Sequence, residues 1–309
     1  MEPRPAVEDA SAIRRIVVIL NPASGRGRGA RRRAELEHHL RQSAERRPDT
    51  PCWEIVETAG PGHAADLAAE AAANGADLVV AVGGDGTCRD VAAGLLGTPA
   101  RLGLIPLGTG NDLARALGLD GSLERAVETL FTGRPKPLDV GRAQGRPFLV
   151  AGGCGFDAVV AARVNRGYPI LRGTAAYIAA VVECLGAFQP AVLRLTLDGQ
   201  PLEARAMLCT VANAPSYGGG MRIAPEARLD DGWLDVCIVG DVGRGDFLRT
   251  FPRVFRGTHV SHPKVTLLRA KRIVVESDPP LPVNVDGDVM GTTAAEFTLT
   301  PHAISVLAP

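Results

Sequence analysis

Two segments decide how this chain is read: Leu78-Val-Val-Ala-Val-Gly-Gly-Asp-Gly-Thr87 and Leu102-Gly-Leu-Ile-Pro-Leu-Gly-Thr-Gly-Asn-Asp112. In each, an apolar run ends in a glycine-rich turn, Gly83–Thr87 or Gly108–Asp112, and helix-forming sequence follows. At the carboxyl ends of strands in an open α/β sheet, such turns lie where ligands bind. Glycine lets backbone come close to a ligand, and a helix N-terminus offers unpaired N–H groups to phosphate. Each turn also carries a threonine and an aspartate. Neither is a Walker A loop, since no Gly-Lys-Ser/Thr follows. One such turn is a moderate signal; the pair is a strong one.

Outward from these turns the pattern alternates. Ile16–Leu20 reads as a buried strand closed by the turn Asn21-Pro-Ala-Ser-Gly25. Arg31–Arg46 is rich in helix formers, Trp53–Thr58 alternates as a strand, and Gly60-Pro-Gly62 breaks it before the Ala-rich helix His63–Ala73. Leu78–Val82 and Leu102–Leu107 are further strands, and Val91–Leu96, Asn111–Leu117 and Leu123–Phe131 are helical. This alternation predicts a parallel sheet with helices on both faces. The texture changes near Gly133-Arg-Pro-Lys-Pro137. Beyond it come short strand-like runs (Phe148–Ala151, Val192–Leu197, Met207–Ala212, Leu234–Val239, Val265–Leu268, Ile273–Glu276), with Thr174–Gly186 as a helical insertion. That is the texture of an antiparallel sandwich. The tail Glu296–Leu307 holds two more strand-like runs.

With 309 residues, two domains are expected, and 46% hydrophobic with 22% charged residues fits an ordinary globular chain. The 34 basic and 34 acidic residues cancel, which argues against a general nucleic-acid binder. Cys52, Cys88, Cys154, Cys184, Cys209 and Cys237 show no metal-ligand spacing, so free thiols in a reduced, cytosolic compartment are expected. His38, His39, His63, His259, His262 and His302 form no ligand set. Residues 1–11 read as a disordered leader without a secretory signal. The longest apolar stretch, Thr174–Phe188, contains Glu183 and falls short of the ~20 residues a spanning helix needs, so no integral membrane segment is expected.

The chain resembles the diacylglycerol kinase catalytic-domain superfamily, and within it the soluble bacterial diacylglycerol kinases and YegS-like lipid kinases. The marks are Asn21-Pro-Ala-Ser-Gly25, Gly83-Gly-Asp-Gly-Thr87, Pro106-Leu-Gly-Thr-Gly-Asn-Asp112, Gly153-Cys-Gly-Phe-Asp157, Leu229-Asp-Asp-Gly232 and Asp286-Gly-Asp288. The resemblance implies an N-terminal doubly wound α/β nucleotide-binding domain, similar to that of NAD kinase and phosphofructokinase. It also implies a C-terminal β-sandwich domain, with the active site in the cleft between. The expected division is residues 12–134 plus 294–309 for the first domain and 135–293 for the β-rich acceptor domain. The implied reaction is transfer of the γ-phosphoryl of ATP to a lipid hydroxyl, assisted by Mg²⁺, in the cytoplasm with peripheral membrane contact; a homodimer is open. An NAD kinase-like phosphotransferase and a catalytically weak nucleotide- or lipid-binding regulator are the alternatives.

Residue by residue, the nucleotide would be bound by Asn21, Ser24, Gly25, Thr58, Gly83, Gly84, Asp85, Gly86, Thr87, Gly108, Thr109 and Asn111, with Asp85 toward Mg²⁺. Thr87 also reads as an N-cap and Thr109-x-x-Asp112 as a capping box, while the resemblance puts Asp112 in a carboxylate–water–Mg²⁺ network. Asp286 and Asp288 complete the catalytic set, Asp288 standing where the family usually has Glu as the general base. The arm is shorter by one methylene, ~1.5 Å. A structural Mg²⁺ is implied at the Asp231 side chain and the carbonyls of Arg228 and Trp233; a plain hairpin turn is the other reading. Arg26, Arg28, Arg31, Arg32 and Arg33 form a basic cluster, read as a solvated face or as a phosphate or membrane contact.

Overall fold

A computed structural model describes residues 13–47, 51–119, 121–168, 171 and 173–309, with backbone alone at 26, 28, 173 and 174. The expected leader and the Arg26 and Arg28 side chains lie outside the described residues. The first half runs β1 (Arg15–Leu20), α1 (Ser24–Arg31), α2 (Arg33–Glu45), β2 (Cys52–Glu57), α3 (His63–Ala73), β3 (Leu78–Gly83), α4 (Asp85–Leu95), β4 (Arg101–Pro106), α5 (Asp112–Ala116) and α6 (Leu123–Thr132). Strands β2, β1, β3 and β4 lie side by side, all parallel. Alternate residues go to opposite faces. Val17, Ile19, Val79 and Ala81 meet Ala64 and Ala68 of α3 and Val91 and Leu95 of α4. Ile16, Val18, Val80 and Val82 meet Leu36 and Leu40 of α2 and Val127 and Leu130 of α6. Runs this apolar on both faces belong to parallel strands covered on both sides.

The second half runs β5 (Arg134–Ala143), β6 (Arg146–Phe148), β7 (Ala151–Gly155), α7 (Phe156–Asn165), α8 (Gly173–Leu185), β8 (Ala191–Leu197), β9 (Gln200–Ala212), β10 (Leu234–Gly240), α9 (Arg244–Thr250), two short 3-10 turns, β11 (Val265–Ala270), β12 (Arg272–Asp278), β13 (Pro282–Val285), β14 (Asp288–Thr292) and β15 (Ala295–Ala308). The strands of β12-β8-β9-β7-β13-β14 are antiparallel neighbours. One face packs Leu193, Val211, Val236, Ile273, Val283 and Phe297. The other face, with Met207, Leu208 and Val239, carries Phe156 and Val160 of α7, Val181 of α8 and Phe247 of α9. Strand β15 stands between the halves, antiparallel to β12 and parallel to β4 at Val306 and Leu102.

Several elements differ from expectation, each for a local reason. Gly133–Pro137 opens strand β5 instead of breaking the chain. Along Arg134–Leu138 that strand pairs with β15 alone, and an edge tolerates the missing N–H groups of Pro135 and Pro137. The two runs of the tail are one strand, shifted in register between Thr300 and Ile304, with His302 at φ 49°. Strand β7, Ala-Gly-Gly-Cys-Gly, has no β-forming signature. Its glycines answer to close approach: a Cβ at Gly153 would lie 2.5 Å from the Cys209 carbonyl oxygen. The turn read at Asn21–Gly25 runs on into helix α1, which carries three glycines and packs near β3.

Candidate functional site

The two glycine-rich turns are packed back to back. A Cβ built on Gly108 would stand 2.5 Å from the Gly84 Cα and 2.7 Å from Asn111 Oδ1, so the close approach requires glycine. The amides of Leu107 and Gly108 donate to the Gly83 carbonyl at 2.7 and 3.2 Å. The carboxylate of Asp85 closes the pair. Its Oδ2 accepts from the Asn111 amide and its Oδ1 from the Asp112 amide, both at 2.7 Å. The two expected capping roles are therefore corrected. Gly84 holds the N-cap position of α4, with Thr87 inside the helix. Asn111, at φ 51°, holds that of α5 without a side-chain capping bond, its Nδ2 donating instead to the Gly108 carbonyl at 3.1 Å. The N–H groups at the start of α5 are taken by Asp85, a longer-range cap that local spacing does not reveal.

Asn21 ties the first strand to the same place. Its Nδ2 donates to Thr87 Oγ1 at 2.9 Å, its Oδ1 accepts from the Ala23 amide at 3.0 Å, and its own amide donates to the Val82 carbonyl. Asn21, Ser24, Gly25, Thr58, Gly84, Gly86 and Thr87 line one cavity of about 470 Å³ with Asp90. Asn111 Oδ1 is buried with no partner among the described residues, and Asn111 lines neither this cavity nor the neighbouring cleft.

Asp85, Thr109, Gly110 and Asp112 face a different cleft, of about 400 Å³. The first turn of α4 thus parts two spaces, with Gly84, Gly86 and Thr87 on one and Asp85 on the other. Asp85 and Asp112 converge there: a Cβ on Gly110 would touch Asp85 Oδ2 at 2.7 Å and Asp112 Oδ2 at 3.3 Å. Asp112 is buried, bonds Arg115 at 2.7 Å and accepts from the Gly219 and Gly220 amides. Burial pushes its pKa above the ordinary carboxylate range, the Gly219 amide opposes this, and the charge of Asp85 adds to it. Two anionic oxygens sharing one wall suit a hard cation, so Mg²⁺ fits here.

The second half supplies the opposite wall of this cleft, including Asp157, Tyr177, Tyr217, Asn284, Asp286 and Gly287. Asp286 and Gly287 form the β13–β14 turn at φ 47° and 88°. The Asp286 carboxylate is turned onto the amides of Leu149, Val150 and Ala151 at 2.9–3.1 Å, which bends the chain into β7. Burial raises its pKa to about 6 against the pull of those three amides and of Arg89. Its geometry is that of a clamp. Asp288 stands at the rim, its side chain 60% exposed, with Oδ2 2.7 Å from Arg89 Nη1 of α4. Arg89 is the partner that sequence reading misses; only its position in α4, two residues after Thr87, points to it. Asp157 is likewise unassigned in the sequence. Its buried carboxyl accepts from the Ala158 amide at 2.9 Å and from Thr210 at 3.4 Å, and burial raises its pKa to about 7. It also borders an apolar cavity lined by Phe156, Val160, Val181, Met221, Phe247 and Phe251.

At the second expected metal site the Asp231 carboxylate already has protein partners. Asp231 is ion-paired with Arg269 through Oδ2 and accepts the Trp233 amide at 3.1 Å through Oδ1. Among the described residues, no group of three His, Cys, Asp or Glu side chains gathers to hold a metal. The Asp139 carboxylate holds this corner together by accepting from the Gly232 amide at 2.6 Å and the His302 amide at 2.7 Å. Of the basic cluster, Arg32 pairs with Glu35 and Arg33 with Glu37 and Glu57. Those two arginines are therefore part of a charge-balanced face. All six cysteines are free thiols.

Residues 15–143 match the family model described as the diacylglycerol kinase catalytic domain. Residues 151–308 match the YegS C-terminal NAD kinase beta sandwich-like domain. A diacylglycerol kinase of Mycobacterium tuberculosis is 35% identical over 310 residues, covering 96% of each chain. One of Bacillus subtilis is 30% identical over 300 residues, covering 96% of this chain and 97% of the relative. The crystal structure of a diacylglycerol kinase from Bacillus anthracis shares the fold, with a TM-score of 0.73 at 23% identity over 97% of this chain and 98% of the other. With two curated relatives matched end to end, and family models covering both the glycine-turn half and the β-sandwich half, the chain belongs to the diacylglycerol kinase family of lipid kinases.

Proposed function

We propose that the chain transfers the γ-phosphoryl of ATP to the hydroxyl of a membrane lipid of the diacylglycerol type, with Mg²⁺. The carrying observation is the back-to-back packing of the two turns. It puts a glycine-lined cavity and a carboxylate-lined cleft on either side of the first turn of α4. ATP lies along Asn21–Gly25, Thr58, Gly83–Thr87 and Gly108–Asn111. There backbone N–H groups, the Thr87 hydroxyl and the start of α4 meet the phosphates. Asp85 and Asp112 would hold Mg²⁺, which would supply charge neutralisation at the phosphates. In this reading Asp85 has a second duty, because it also holds the Gly108–Asp112 turn in place.

The acceptor enters the cleft from the β-rich half. Asp288, braced by Arg89, orients the lipid hydroxyl and takes its proton as the new phosphorus–oxygen bond forms and the bond from the γ-phosphorus to the bridging oxygen breaks, with ADP leaving. Asp286 shapes the turn that presents Asp288. In phosphoryl transfer, positioning and charge neutralisation account for most of the rate, which suits a site built from turns and braced carboxylates. The division of labour follows the expected domains, residues 12–134 with 294–309 for nucleotide and 135–293 for acceptor. The test is transfer of label from γ-labelled ATP to a panel of diacylglycerol, other hydroxyl-bearing lipids and NAD. Label is expected in the diacylglycerol product; label in NAD alone would reassign the acceptor.

A further inference from the structure

Helix α8 does not look like a helix laid against a protein surface. Its inner side is buried through Ala176, Ala180, Val181 and Leu185. The outer side of such a helix is ordinarily polar. Here it is Ala175, Ile178 and Val182, with Ile178 43% and Val182 56% exposed. Residues 175, 178 and 182 fall in one stripe along the helix, and Leu171, 41% exposed, precedes it. The only charged residue of α8 is Glu183, turned aside to Arg163 at 2.8 Å and Tyr168 at 2.7 Å. Isolated exposed apolar residues are normal on any protein, but Ile178 and Val182 one turn apart on the outer side of one helix, with Leu171 exposed just before it, make a patch.

Helix α8 is a wall of the acceptor cleft. Its Ala176 and Tyr177, with Leu171 ahead of the helix, line the same space as Asp85, Asp112 and Asp286. With 13 residues, α8 is too short to cross a bilayer, and no helix among the described residues is long and apolar enough to do so. An apolar stripe of this length suits a helix lying in the plane of a bilayer surface. We propose that Leu171, Ala175, Ile178 and Val182 form a membrane-docking surface, seating the chain on a lipid bilayer with the mouth of the acceptor cleft against it. This rests on the lipid-acceptor reading, since a substrate dissolved in the bilayer must reach the carboxylates without crossing water.

The test is the double variant Ile178→Glu/Val182→Glu, both sites being exposed. Binding to phosphatidylcholine–phosphatidylglycerol vesicles containing dioleoylglycerol is measured by co-sedimentation. Turnover is measured on those vesicles and on water-soluble dihexanoylglycerol. Vesicle binding and vesicle turnover should each fall about tenfold or more, while turnover of the soluble acceptor and the melting temperature hold. Unchanged vesicle binding, or a wild-type chain that does not bind vesicles, would overturn the docking surface. So would a variant that keeps vesicle binding but dissociates a dimer, which would make the stripe a self-association face. Failure of the kinase reading shows up separately, as wild-type binding to vesicles with no labelled lipid from either acceptor.

Discussion

Asp85 is where a residue-scale change separates structure from chemistry. Its two oxygens accept the amides of Asn111 and Asp112, so Asp85→Asn leaves one of these donors without a good acceptor. The cost in stability should be about 1 kcal/mol, as for loss of a helix cap, read from denaturant unfolding. Turnover should fall far more, by about 10²–10³, because charge at the phosphates is also lost. Wild-type turnover in this variant would remove Asp85 from the mechanism. Asp288 is read by a pair of changes. Asp288→Asn should lose about 10²-fold or more in turnover, while Asp288→Glu, one methylene longer, should keep it within about tenfold. Equal losses in both would make the residue a structural partner of Arg89. Asp157 tests the electrostatics. Its pKa is raised to about 7 by burial, whereas an unfolded aspartate titrates near ~4. The folded chain therefore holds an extra proton between about pH 4 and pH 7, and this contribution to stability is lost as pH rises through that window. Asp157→Asn should gain on the wild type from about pH 5 to about pH 8, by on the order of a few kcal/mol, in paired thermal melts. A constant offset between the two proteins would contradict the assignment.

Among the elements, the glycine turns show how far sequence alone reaches. Apolar run, glycine turn and helix are visible as a string, and so are β1 through α6, because each strand and helix carries its own period. What the string does not show is that the turns touch. Gly108→Ala would press a methyl group on the Gly84 Cα and on Asn111 Oδ1. It should lower stability by about 1–3 kcal/mol and weaken ATP binding, measured by calorimetry. An unaffected ATP affinity would detach the second turn from the nucleotide. The same distinction explains the misread elements. Strand β7 and helix α1 are glycine-rich, and their states are imposed by neighbours rather than by propensity. Thr109 follows capping spacing, yet the Asp112 amide it would serve is taken by a carboxylate 27 residues away in sequence, and Thr87 lies inside α4 with Gly84 at the N-cap. Asp231 stands at the expected place in its turn, but Arg269, from another strand, occupies its carboxylate. Local chemistry was legible; the partners brought by long-range pairing were not.

At the scale of the whole molecule, β15 joins the halves that the mechanism needs to hold together. It pairs with β12 and β5 on the acceptor side and with β4 in the nucleotide sheet. Arg89 and Asp288 make a second bridge across the cleft, and Asp112 with the Gly219 and Gly220 amides a third. The paired glycine turns are therefore one wall of a two-sided site. Its other wall brings Asp157, Tyr177, Tyr217 and Asp286, with Asp288 exposed beside it on Arg89. The most direct test is labelled phosphoryl transfer from ATP to dioleoylglycerol in vesicles, with Mg²⁺, comparing the wild-type chain with Asp85→Asn. Labelled phosphatidic acid from the wild type, reduced about 10²-fold or more in the variant, is the expected result. ATP binding by a folded wild-type chain with no labelled lipid would contradict the assignment of the cleft as a lipid kinase site.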